Sequence, residues 1–198
     1  MSTALLLSGG MDSIALAYWR RPRFAITIDY GQKPALGEIR ASTAIAAELG
    51  VEHHVLTADL HALGSGDLAG RPALAIAAVS EWWPFRNQLL ITMAAMRAVA
   101  IGVNRLLIGA VKSDGCHADG RPEFIDAMNR VLAVQEGMVT LEAPAINLTT
   151  SQLITESGVP AGLLGWAHSC HVSEYACGLC RGCQKHYNTY KELGGTPF

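Results

Sequence analysis

The strongest constraint on the chain is a six-residue stretch, Ser8-Gly9-Gly10-Met11-Asp12-Ser13. It lies between an apolar run at residues 3–7 and a helical pattern carried by Ile14, Leu16, Ala17 and Trp19. An apolar run that ends in two glycines and passes at once into a helix reads as the strand-to-helix turn of a βαβ unit. Glycines let the backbone turn tightly and bring consecutive N–H groups toward an anion, and the helix N-terminus adds partial positive charge. Ser8 and Ser13 add hydroxyl donors, and Asp12 is suited to holding Mg²⁺ against a pyrophosphate. No Gly-Lys-Ser/Thr follows, which excludes a Walker-type loop. The blander reading is a glycine-rich turn with a serine cap that binds nothing.

The alternation continues along the chain. Residues 24–28 read as a second strand, Ala35–Leu49 as an Ala-rich helix stopped by Gly50, and residues 51–56 as a third strand. Residues 58–80, with Gly64, Gly66, Gly70 and Pro72, are the least regular stretch. Helical periodicity returns at 87–102, Arg105–Ile108 is a fourth strand, and 109–120 is polar and turn-rich. Pro122 opens a helix to about Glu136, and Thr149-Thr150-Ser151-Gln152 has the spacing of a capping box before a short helix to Glu156. The pattern predicts an α/β fold, a doubly wound parallel sheet with a small C-terminal metal-binding lobe. With 15 Lys+Arg against 17 Asp+Glu, there is no basic surplus for general nucleic-acid binding. Every apolar run is broken before the ~20 residues a membrane helix needs. The N-terminus turns to glycine too early for a secretory leader, so a cytoplasmic protein is expected.

Four of the five cysteines, Cys170, Cys177, Cys180 and Cys183, form Cys-x6-Cys-x2-Cys-x2-Cys. Four thiolates suit a structural Zn²⁺ with no open position, and an iron–sulfur cluster is the competing reading. Arg181 and Lys185 could offset the charge of the site. His168, His171 and His186 flank it, and Cys116 stands apart as an ordinary thiol.

Residues 8–13 match the S-G-G-x-D-S signature of the PP-loop ATP pyrophosphatases. Together with Asp29-Tyr30-Gly31-Gln32, Arg86-Asn87, a block from Asp119 to Phe124 and the C-x6-C-G-x-C-x2-C tail, they recur in order in the QueC family of 7-cyano-7-deazaguanine synthases. The chain resembles that family over almost its whole length. The resemblance implies a PP-loop, adenine nucleotide α-hydrolase-like fold, with residues 1–165 as the ATP-binding adenylation domain. Residues 166–198 would be a four-cysteine zinc-binding segment within one compact domain, and a homodimer is implied. It further implies an ATP-dependent, C–N bond-forming ligase. Such an enzyme adenylates 7-carboxy-7-deazaguanine, lets ammonia displace AMP, and dehydrates the resulting amide to the nitrile with a second activation.

On that resemblance Ser8, Gly9, Gly10, Met11, Asp12 and Ser13 bind ATP together with Asp29, Tyr30, Gly31 and Gln32. Ser8, Asp12, Ser13, Arg86 and Lys112 are the catalytic candidates. Trp83, Arg86, Asn87, Asp114, Asp119 and Arg121 are the substrate-binding candidates, with Asp114 and Asp119 facing the guanine-like edge. Structural Zn²⁺ and Mg²⁺ with ATP are the expected cofactors.

Departures from the family pattern are specific. His117-Ala118-Asp119-Gly120-Arg121 stands where the family carries Tyr-Pro-Asp-Cys-Arg, and Thr150-Ser151-Gln152 stands where it carries Lys-x-Glu. Loss of both charges predicts that acyl-adenylate formation survives while nitrile formation slows, unless another residue such as Lys112 substitutes. A second reading keeps the activation and transfers the acid to a protein or peptide amine, as in a QueC-like protein of antiviral defence. A third is a zinc-stabilised nucleotide-binding module without catalysis. A tRNA-thiolating enzyme is disfavoured by the lack of basic surface.

Overall fold

The computed structural model describes residues 2–195. Five strands alternate with helices: β1 (Ala4–Leu6), α1 (Met11–Arg20), β2 (Phe24–Asp29), α2 (Ala35–Leu49), β3 (Glu52–Thr57), α3 (Gly66–Ala69), α4 (Arg86–Ala100), β4 (Arg105–Ile108), α5 (Pro122–Ala133), β5 (Thr140–Glu142), α6 (Thr150–Ser157), α7 (Ala161–Leu164) and α8 (Arg181–Glu192). The sheet is parallel throughout, in the order β3-β2-β1-β4-β5. The chain winds outward from β1 to β3, then returns to β4 beside β1. The α/β class and the doubly wound parallel sheet are as the alternation predicts.

Parallel strands covered on both faces read as continuous apolar runs, and β1 is of this kind. Ala4, with Ile26, Leu106 and Leu141, packs on one face against Ile91, Ala94 and Ala98 of α4 and Ile125, Met128 and Leu132 of α5. The α4 residues recur at the helical i, i+3, i+7 spacing. Leu5 and Leu7 meet Ile14 of α1, Ile45 of α2, Leu153 of α6, Leu164 of α7 and Tyr190 of α8 on the other face. Local signals end the helices as expected. Gly50 closes α2 in the left-handed conformation, and Thr149 Oγ1 accepts the Gln152 N–H at the start of α6.

Beyond the four-residue helices α3 and α7, β5 and α8 also escape the sequence pattern. β5 is three residues long, too short for a period, and is fixed by pairing with β4 and by the Arg105–Glu142 ion pair at 2.8 Å. α8 is strongly polar, RGCQKHYNTYKE, and carries a glycine in its first turn. Its start is set by Cys180, whose sulfur accepts the Cys183 N–H. Helix α5 ends at Ala133, one turn earlier than predicted.

Candidate active site

Doubly wound sheets hold ligands beyond the C-terminal ends of the strands where the order reverses. Here that point lies between β1 and β4, and a cavity of about 780 Å³ opens there. It is within the size range of ligand pockets. Ser8, Gly10, Asp12 and Ser13 line it. Gly9 takes φ +78°, and a Cβ there would stand 2.8 Å from both Ala41 Cβ and the Glu38 carbonyl, so the turn requires glycine. Ser8 Oγ donates to Ser13 Oγ at 3.2 Å, and Ser13 Oγ donates to the Gly10 carbonyl at 2.9 Å. α1 begins without a side-chain cap, so its first-turn N–H groups are available to an anion.

The C-terminal segment closes over this loop. The His168 N–H donates to the Gly9 carbonyl at 2.8 Å. A Cβ on Gly182 would collide with the Ser169 carbonyl, so the glycine lets α8 lie against that strap. The four cysteines gather between strap and helix with all Sγ atoms within 4.8 Å of one another, and Cys170–Cys180 and Cys177–Cys183 each stand 3.9 Å apart. Thiolates ~2.3 Å from a common tetrahedral centre would be about 3.8 Å apart, so the cluster could hold a metal such as zinc. N–H groups of Leu179, Cys180 and His171 point at Cys177 and Cys180 sulfurs.

Past the cysteines, α8 turns Lys185 into the cavity. Its Nζ donates to Asp12 Oδ2 at 2.9 Å and stands 3.6 Å from Asp114 Oδ1. Burial pushes the Asp12 carboxyl above its usual range, with Lys185 opposing the shift, while Asp12 and Asp114 hold Lys185 above its ordinary value against burial. Asp12 Oδ1 stays buried with no hydrogen-bond partner among the described residues. Arg181 does not serve the cysteines either, since its guanidinium pairs with Glu81 at 2.9 Å.

The other predicted residues divide. Tyr30, Arg86, Asn87 and Asp114 join the cavity wall. Asp29, Gly31 and Gln32 are instead occupied in building the turn after β2. Asp29 Oδ1 accepts the Gly31 N–H at 3.0 Å, and Gln32 bridges the Tyr30 N–H, the Ile28 carbonyl and Glu38. Trp83 is 4% exposed and packs edge-on to Tyr30 at 5.0 Å, a core contact and not a platform for a base. Asp119 accepts the Asn87 N–H at 3.3 Å and so fixes the start of α4. The Arg121 guanidinium donates to the Gly115 carbonyl at 3.0 Å, and Lys112 is exposed outside the cavity lining. Arg86 lines the cavity from the first position of α4, directly after Phe85, which adopts a left-handed φ of 56°. Burial opposes its charge, but Tyr30, Asp119, Glu38 and Asp114 hold its pKa above the ordinary value. Sequence reasoning missed Glu38. This carboxylate lines the cavity, accepts from Gln32 Nε2 at 2.7 Å, and is pushed by burial up to about 7.

The family model described as "Queuosine biosynthesis protein QueC" matches residues 2–194. The chain belongs to the QueC family. It is 33% identical to the 7-cyano-7-deazaguanine synthase of Desulforudis audaxviator, over 98% of this chain and 99% of that protein. The synthases of Chlorobium phaeobacteroides (31%, covering 98% and 94%) and Thermoplasma volcanium (33%, covering 96% and 86%) are similar to it as well.

Against the QueC pattern, the missing Lys-x-Glu pair has counterparts in space. Thr150 lies beside Asp12 on the wall of the cavity, and the lysine that reaches Asp12 is Lys185 of α8. Next to it along α6, Ser151 Oγ donates to Glu192 Oε2, and Glu192 also lines the cavity. One cation and one carboxylate therefore stand near residues 150–152, delivered by a different helix.

Proposed function

We propose that this QueC-family chain uses ATP to adenylate the carboxylate of 7-carboxy-7-deazaguanine, accepts ammonia to form the amide, and dehydrates the amide with a second ATP to 7-cyano-7-deazaguanine. The observation that carries the reading is the Lys185–Asp12 pair at the mouth of the residue 8–13 loop, inside a cavity at the strand-order reversal. A carboxylate is a poor electrophile, and making it an acyl phosphate ester supplies AMP as leaving group. In the first step a substrate oxygen attacks the α-phosphorus and pyrophosphate departs with the bonding electrons. The first-turn N–H groups of α1 would hold the departing anion, with Ser8 and Ser13 turning their hydroxyls from the loop to it, and Lys185 would add a positive charge beside them. Asp12 Oδ1 is the donor-free oxygen that would hold Mg²⁺, which supplies further charge neutralisation when bound. The four thiolates would hold Zn²⁺ in a closed site that fixes α8.

Ammonia then attacks the acyl carbon and AMP leaves. In the second round the amide oxygen attacks a new α-phosphorus and the nitrogen loses a proton. Expulsion of AMP with loss of the second N–H proton leaves the carbon–nitrogen triple bond. Glu38, poised near neutrality, is suited to taking these protons, because a base works best with a pKa near the operating pH. Lys185, which reaches Asp12 inside the cavity, is better supported as a stand-in for the family lysine in the dehydration step than Lys112, which lies outside the cavity lining. The relatives' names point to nitrile synthesis and give transfer to a protein amine, or a role in antiviral defence, no support.

Incubation with ATP, Mg²⁺, ammonia and 7-carboxy-7-deazaguanine, followed by mass spectrometry, tests the reading. Conversion through to the nitrile is expected. AMP with amide alone would overturn the dehydration step, and absence of ATP–pyrophosphate exchange would overturn activation altogether.

A further inference from the structure

One corner of the cavity carries polar groups that the phosphoryl chemistry leaves unused. Glu81, in the loop before α4, is 7% exposed and lines the cavity. Its Oε1 accepts from Arg181 at 2.9 Å and stands 3.9 Å from His117 Nε2. Its Oε2 is buried with no hydrogen-bond partner among the described residues. His171 lines the same cavity, leaves Nδ1 equally unpartnered, and lies within the electrostatic reach of Glu81, Arg181 and Arg86. A buried acceptor without a donor is costly, and native structures rarely keep one unless a ligand or water completes it. The aspartates expected to read the base are already engaged. Asp114 accepts the Val111 N–H at 3.0 Å and faces Lys185, and Asp119 accepts from Asn87.

We infer that Glu81, with His171 beside it, is the base-recognition site, taking the pyrimidine edge of a 2-amino-4-oxo purine-like ring. That edge presents two adjacent donors, the ring N–H and the exocyclic amine, and a carboxylate accepts on both oxygens. An adenine edge instead places a ring-nitrogen lone pair against the carboxylate, which repels it. The same corner therefore accepts the deazaguanine acid and turns away the adenine of ATP, sorting two similar bicyclic bases in one cavity. The inference rests on the proposed function for the identity of the acid.

Calorimetric titration of the metal-loaded full chain with 7-carboxy-7-deazaguanine, with its analogue lacking the 2-amino group, and with ATP tests it. Wild type should favour the amino compound by about 10- to 100-fold, the range for a hydrogen bond to a charged group. Glu81→Gln should reduce that preference to less than about 3-fold and leave ATP affinity within about 2-fold. Arg181→Gln breaks the same ion pair but keeps the carboxylate, and should retain the preference. An undiminished preference in Glu81→Gln overturns the inference, as does an equal loss in Arg181→Gln, which would make the ion pair structural. A wild-type chain that binds ATP but neither acid would overturn the proposed function itself, and the inference with it.

Discussion

Replacing Glu38 by Gln should raise stability above neutral pH while lowering activity, and the size of the gain follows from the burial of this carboxylate. Its pKa rises from 4.5 to about 7, chiefly because burial penalises the charged form, with Gln32 and Arg86 only partly offsetting it. Below pH 4.5 the group is protonated in folded and unfolded chains alike and contributes nothing to the pH dependence. Between 4.5 and about 7 the unfolded chain gives up its proton first, so stability falls as pH rises. Roughly 2.5 pH units at about 1.4 kcal/mol each give between about 3 and about 4 kcal/mol, a ceiling because the side chain still faces the water-accessible cavity. Glutamine keeps an acceptor for Gln32 Nε2, whose present bond is 2.7 Å, and has no charge to bury. Urea unfolding of both proteins at about pH 5 and about pH 8, either side of the shifted value, would measure the difference. Glu38→Gln should gain up to about 3 kcal/mol relative to wild type between those conditions, and turnover should fall by about 10²-fold or more if the carboxylate moves protons. A stability difference independent of pH would refute the placement of Glu38 as a buried, destabilised anion.

Two further outcomes are expected. Lys185→Met should reduce turnover by about 10²-fold, in the range seen on deleting one stabilising group at a developing charge, while Lys112→Met should change it less than about 2-fold; steady-state kinetics on both variants compares them. Purified protein should contain one equivalent of zinc, and chelation or Cys170→Ala should cost well above the ~1 kcal/mol of an ordinary substitution, seen as a lowered melting temperature. Less than half an equivalent of zinc, or an iron–sulfur absorption band, would contradict that assignment.

How much of this was legible from residues depended on distance along the chain. The strand–turn–helix at residues 3–20, the Gly50 stop and the Thr149 capping box are set by neighbours within a few positions, and sequence and structure agree there. Asp29 and Gln32 read as ligand contacts through the Asp-Tyr-Gly-Gln motif of the family, and Asp29 also through its place at the end of β2. Their hydrogen bonds instead close on the turn's own backbone, a competition that spacing cannot reveal. Trp83 is itself expected to contact the substrate, yet it packs in the core against Tyr30, which arrives from the end of β2. Glu38 has the sequence setting of an exposed helix start, and only the fold shows that this turn backs onto Gly9.

Under the proposed function, Lys185 keeps near Asp12 the positive charge that the α6 motif has lost. On that proposal the loop at residues 8–13 needs a positive charge near Asp12, and nothing in that requirement fixes the helix that supplies it. α6 can present Thr150 there because α8 crosses close enough for a long, flexible side chain to reach the same carboxylate from 173 residues away. The substitution carries a dependence with it. A lysine on α6 would be positioned by the core through Leu153, whereas Lys185 follows Cys183 by two residues on a polar helix whose first turn is held by sulfur. Releasing the cysteines is therefore expected also to withdraw this cation from Asp12. Metal loss in this chain should weaken ATP binding directly, and not only by unfolding.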